Sequence, residues 1–141
     1  MIAIYSLIAL FIAWIWVDYF RLIDIYDQDE LKNFIAAFLI GGLSIPFTIV
    51  LHLGLVSPFG LELNGDPLND LIFSVYGVGL IEESAKLLSF LIFYRFFKKH
   101  ITEPFDYLSY AATAALGFAA IENISYFIDH GGRIVFGRAV L

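Results

Sequence analysis

The spacing of its apolar runs constrains this chain more than any single residue does. Four stretches, residues 2–20, 33–56, 71–97 and 107–128, are each dominated by Ile, Leu, Phe, Val and Ala. A helix needs about 20 mainly apolar residues to cross the hydrocarbon layer of a bilayer. A fifth apolar stretch begins at residue 133 and runs to residue 141. A soluble core cannot absorb so much: 60% of the residues are hydrophobic and 16% charged, where an average soluble domain has about 45–50% and about 25%. The expected fold is therefore all-α, a polytopic membrane bundle of four full transmembrane helices plus the start of a fifth. Residues 1–141 form one such domain, with no room for a sizeable soluble one.

The connections between the runs are consistent with this reading. The first run has no basic n-region and no small-x-small cleavage site, so it is expected to be a retained helix rather than a removed signal peptide. Trp14, Trp16, Tyr19 and Phe20 make an interfacial belt near its end. Asp24, Asp27, Asp29, Glu30 and Lys32 mark a solvated connection whose acids suit the start of the next helix. Gly41-Gly42 and Pro46 in the second run would break a soluble helix, but a membrane bundle tolerates them when neighbours re-satisfy the freed backbone groups. Residues 57–70 hold Pro58, Gly60, Asn64-Gly65 and Asp66-Pro67, a dense set of turn signals. In the fourth run Ala111 to Ala115, Gly117 and Ala119-Ala120 give a small-residue face, which expects close helix–helix contact inside the bundle.

Charge and cysteine exclude several functions. With no cysteine, disulfides, thiolate catalysis and Cys-based metal sites are all ruled out. A formal net charge of −6, with no basic cluster beyond Lys98-Lys99, argues against a nucleic-acid partner. Arg21 and Lys32 flank the first connection, the second has no Lys or Arg, and the third has Arg95, Lys98 and Lys99. The positive-inside rule then puts the first and third connections in the cytoplasm, with the N-terminus and residues 57–70 on the extracytoplasmic side. Arg133 and Arg138 run against this orientation.

Within this apolar framework the stretch Gly77-Val-Gly-Leu-Ile-Glu-Glu-Ser-Ala-Lys86 is anomalous. A charge at that depth costs about 2.5–3.5 kcal/mol on insertion scales, so it must pair, face a polar cavity or do chemistry. Lys86 follows Glu82 by four residues and Glu83 by three, which places it on their side of the helix in the favoured order. Two adjacent carboxylates at low dielectric have their proton affinities driven apart, a split that general acid–base chemistry uses. The fourth run carries a second polar pair, Glu122-Asn123. Glu82 lies about 16 Å in from residue 71 and Glu122 about 10 Å in from residue 129, at 1.5 Å per residue, so both sets fall at a similar level in the outer half of the membrane. The structural alternative is that these groups only hold helices together.

At these residues the chain resembles the PrsW-type intramembrane proteases, relatives of the CAAX-processing and bacteriocin-immunity membrane protease superfamily. The resemblance rests on Gly79-Leu-Ile-Glu-Glu-Ser-Ala-Lys86 together with Gly117-Phe-Ala-Ala-Ile-Glu-Asn-Ile-Ser-Tyr126, and covers about half the chain, from residue 74 to residue 138. It implies a hydrolase that cuts peptide bonds of a membrane-anchored protein substrate, such as the extracytoplasmic part of a single-span regulator. Glu82 and Glu83 would be the catalytic acids, Lys86 their charge partner, and Glu122 and Asn123 further members of the site, with Asn123 helping to hold an oxyanion. The family also carries a His motif on a later helix, after an Arg-containing segment like that of residues 133–138. This chain stops at Leu141, so that His is absent from it, and the 141-residue chain is expected to be inactive by itself. His52 and His130 are weak substitutes. The metal is open: a zinc site needs about three N/O ligands, and the sequence does not require one. Two readings from other classes stand beside the protease. One is a small transporter or proton-relay subunit, since intramembrane carboxylates also mark ion pathways. The other is a noncatalytic relative that binds membrane partners.

Overall fold

The computed structural model describes residues 2–23 and 30–130. The apolar stretch at 133–141, Arg133 and Arg138, and the acidic connection at 24–29 lie outside the described residues. Among those described there is no β-strand. The helices are α1 (Ile2–Leu22), α2 (Leu31–Leu55), a short α3 (Pro67–Ile72), a π-helical segment (Phe73–Leu80), α4 (Ile81–Phe97) and α5 (Pro104–His130), with single 3-10 turns at Ser57–Phe59 and Lys98–His100.

Three of these helical stretches, Ile2–Leu22, Leu31–Phe59 and Pro104–His130, are long and apolar enough to cross a membrane. The fourth expected span is composite: α3, the π segment and α4 follow one another without a break from residue 67 to residue 97. Its apolar run is interrupted where Glu82, Glu83 and Lys86 enter. Large apolar side chains cover the outside, with Leu43 73% exposed and Phe96 72% exposed. Lipid can solvate such a surface; water would not.

Two polar devices begin helices at the edges. Asp66 caps α3 by accepting from the Asn69 N–H at 3.0 Å, while Asn64 N–H and Gly65 N–H donate to the Asp70 carboxylate at 2.9 and 3.2 Å. At the other end Asp106, almost fully buried, accepts from the N–H groups of Thr102 (2.7 Å) and Glu103 (2.9 Å). Asp106 is the third residue of α5, so this is the backward-reaching half of a capping box. It starts α5 at Pro104, a turn before the apolar run that begins at residue 107. Inside the spans, hydroxyls donate to their own helix: Ser44 to Gly41 O at 2.6 Å, Ser89 to Ala85 O at 2.8 Å and Thr113 to Ser109 O at 2.7 Å. No hydroxyl among these three is left bare in hydrocarbon.

α5 is the central helix. One third of its most apolar window is buried, against 17% for α1 and 22% for α2. Its close contact is with α2. A Cβ added to Gly41 would fall 1.8 Å from Ala114 O, and one added to Gly117 would fall 2.0 Å from Phe38 O. Only glycine permits that backbone approach, the small-residue route to helix association in lipid. The contacts Phe34–Tyr110, Gly41–Ala114 and Gly42–Ile121 advance together along both helices, so α2 and α5 run parallel. Phe34, Phe93, Tyr110, Val17 and Ala37 make the core at the end of the bundle nearer the third connection, with the Phe93 and Phe34 rings 4.7 and 5.0 Å from Tyr110.

Candidate active site

The π-helical segment leads directly into the glutamates. Stretches of this kind are rare and are frequently found at functional sites. Phe73–Leu80 runs for eight residues and hands over to α4 one residue before Glu82. Gly77 is buried in it. A Cβ there would meet the Phe73 ring at 2.9 Å and the Val56 side chain at 3.2 Å, so the packing of this turn depends on glycine. The Gly77-Val-Gly79 pattern carries the signal for it in the sequence, although spacing alone does not specify a π turn.

On α4 the two carboxylates diverge. Lys86 Nζ donates to Glu83 Oε1 at 2.7 Å and lies 4.0 Å from Glu82 Oε2. The Glu83 side chain is 72% exposed, whereas Glu82 is 26% and Lys86 24% exposed. A single residue step, about 100° around the helix, thus turns Glu82 toward the bundle and leaves Glu83 at its surface. Adjacent glutamates read as an equivalent pair in the sequence; the helix gives them different surroundings.

Lys86 also reaches α5. Its Nζ stands 4.9 Å from the centroid of the Phe118 ring, which is buried. With Phe93–Tyr110 at 4.7 Å and Tyr94–Tyr107 at 5.8 Å, this contact sets an antiparallel register between α4 and α5. Moving one turn along each helix from Lys86 and Phe118 leads to Glu82 and Glu122, so the register brings those two carboxylate positions to one level. Phe118 was not singled out from the sequence; its place four residues before Glu122 is the signal that marks it.

Beside this layer is a cavity of about 430 Å³ between α1 and α5. Ala9, Ala13, Trp16 and Phe20 of α1 form one wall and Ala115 and Ala119 of α5 the other, with Lys86 and Asn123 as its polar lining. The structure therefore gathers Lys86 and Asn123 around one space. Ion pairing joins Glu82 and Glu83 to Lys86, and helix register places Glu122 level with Glu82. Trp16 and Phe20, expected at an interface, line this cavity. His52 packs edge-on against Phe73, and His130 stacks on Tyr126, four residues before it. Among the described residues no group of three or more His, Cys, Asp or Glu side chains is placed to hold a metal ion.

An α-helical integral membrane protein with two adjacent carboxylates paired to a lysine on one of its helices is the class that fold and site define. The comparisons narrow this to one family: the model of the PrsW family intramembrane metalloprotease matches residues 30–140, and the chain belongs to that family. Among its relatives are proteins called Protease PrsW from Clostridioides difficile (strain 630), 34% identical over 96% of this chain and 56% of the relative, and from Bacillus subtilis (strain 168), 30% identical over 88% and 54%. The counterpart in Geobacillus kaustophilus (strain HTA426) is 31% identical over 88% and 52%. The chain spans about half the length of these relatives. No solved structure matches it. The family match covers α2 to α5 and leaves out α1, which supplies one wall of the cavity.

Proposed function

We propose that this chain carries the acid–base carboxylates of an intramembrane peptidase acting on membrane-anchored protein substrates. The observation that carries the reading is the meeting of α4 and α5 through Lys86: its ammonium is bound to Glu83, stands 4.0 Å from Glu82, and lines the same cavity as Asn123. Family membership supports peptide-bond hydrolysis as the reaction.

In this reading Glu82, turned inward, is the general base. It accepts a proton from water as the water oxygen adds to the scissile carbonyl carbon. Asn123 donates its side-chain N–H to the oxyanion that develops, an interaction worth about 10²–10³ in rate at comparable sites. The proton held by Glu82 then passes to the departing amine nitrogen, and the C–N bond breaks. Glu83 holds Lys86, whose ammonium stands 4.0 Å from Glu82. Glu122 supports the layer from α5. The cavity beside Asn123 receives the apolar part of the substrate. With the N-terminus extracytoplasmic, the carboxylates lie toward the outer half of the membrane, where the extracytoplasmic part of a single-span regulator is accessible. No step is assigned to a metal.

The test is cleavage of a membrane-tethered peptide by the full-length protein in proteoliposomes. Glu82→Ala and Glu83→Ala are each expected to lose cleavage while keeping the helical fold. Wild-type rates in both variants would overturn the reading.

A further inference from the structure

We infer that Phe118 is a positioning residue of this site: its ring face holds the Lys86 ammonium, and through it sets where the glutamates of α4 stand relative to α5. The inference deepens the acid–base reading and rests on that reading for its kinetic arm.

Three observations converge on it. Phe118 is 2% exposed, so its ring is held by its surroundings and cannot follow Lys86 if Lys86 moves. Lys86 Nζ lies 4.9 Å from the ring centroid, within the distance at which an aromatic quadrupole attracts a cation. The same ammonium is 2.7 Å from Glu83 and 4.0 Å from Glu82. A lysine has three N–H donors on a flexible four-carbon stem. Two carboxylates on its own helix would draw it back along α4. An aromatic face on the neighbouring helix attracts the charge without taking the place of a carboxylate acceptor. A leucine at 118 could fill apolar volume but has no electron-rich face to offer.

The position of the clamp is what makes it matter. Glu82 is one turn before Lys86 on α4, and Glu122 one turn after Phe118 on the antiparallel α5. Holding Lys86 on Phe118 therefore fixes the vertical register of the two carboxylate helices one turn from the carboxylates themselves. The wild-type arrangement orients Glu83 through a hydrogen bond from Lys86, whose ammonium also stands 4.0 Å from Glu82. In this scheme Phe118 acts through Lys86.

The experiment replaces Phe118 in the full-length protein with mono-, di- and trifluorophenylalanine, which keep the ring shape while draining its face of electron density. Phe118→Leu is made beside them. Cleavage of the tethered peptide is expected to fall stepwise along the series in kcat, with KM unchanged, to a loss of about tenfold, equivalent to about 1.4 kcal/mol. In protein carrying ¹³C-labelled lysine, the Lys86 ε-methylene, assigned by its loss in Lys86→Arg, is expected upfield in the wild type and shifted downfield in Phe118→Leu. A kcat that stays flat across the fluorinated series, or a Lys86 methylene with no ring-current shift in the wild type, overturns the inference. If cleavage is insensitive to Glu82→Ala and Glu83→Ala, the acid–base reading is what fails, and the Lys86 resonance then decides whether Phe118 holds the ammonium.

Discussion

α5 meets its two neighbours in opposite ways. Against α2 it touches backbone to backbone: Gly41 and Gly117 leave no room for a Cβ. Against α4 it meets through long side chains, with Lys86 over Phe118 and the rings of Phe93 and Tyr110 side by side. Lipid tails are as apolar as leucine, so helices in a membrane gain little by hiding apolar surface from their surroundings. The α2 contact answers with dispersion at very short range. The α4 contact stays wider, and the room it leaves holds the Lys86 ammonium and, with α1, a cavity. Close packing on one face of α5 steadies the helix that presents chemistry on the other.

The sharpest break in this comparison comes from the charged side. Glu82→Gln is expected to lower peptide cleavage by about 10²–10⁴, the usual range for a general base, with circular dichroism and thermal unfolding in detergent unchanged. A concurrent loss of fold would mean that the carboxylate serves packing after all. Asn123→Ala should lower kcat by about 10²–10³ if its amide meets an oxyanion; a change in KM alone would place it in binding instead. The packed side should respond in stability. Gly41→Leu and Gly117→Leu each drive a side chain into a neighbouring backbone and are expected to cost about 1–3 kcal/mol or more, read by denaturant or thermal unfolding in micelles. A stable Gly41→Leu variant would show that α2 and α5 do not meet as described.

The smallest effect lies outside both contacts, at the start of α2. A hydrogen bond from Lys32, and then its charge, holds the Glu30 carboxyl below the usual carboxylate range. A depressed folded-state pKa contributes stability that is present above the unfolded value and lost as pH falls through the folded one. Lys32→Met should flatten this acid-side dependence slightly, measured as unfolding midpoint against pH. Because Glu30 is fully exposed, a large change would contradict a surface pair.

Much of the bundle was legible in the residue order. Apolar runs of spanning length and the alanine-rich face of α5 both have their reason in local composition, and helices form there. Asp66 and Asp106 are placed where helix starts need an acceptor. The polar site was legible as types and spacing: Glu82, Glu83 and Lys86 on one helix, Glu122 and Asn123 on another. Its asymmetry was not. Whether Glu82 or Glu83 turns inward depends on the phase of α4, and that phase is set by the π turns of Phe73–Leu80 packed around Gly77. Gly41-Gly42 likewise read only as residues that a membrane helix tolerates, yet Gly41 is where α5 comes closest.

Sequence alone determined that this chain is a bundle of membrane helices carrying charges that need partners, because hydropathy and i, i+4 spacing are properties of neighbours along the chain. Tertiary structure decided which partners those charges have. The parallel crossing of α2 on α5, the antiparallel register that seats Lys86 on Phe118, and the wall that α1 builds against Asn123 all join residues far apart in order. Such contacts follow from how whole helix surfaces fit, and no local pattern encodes that fit.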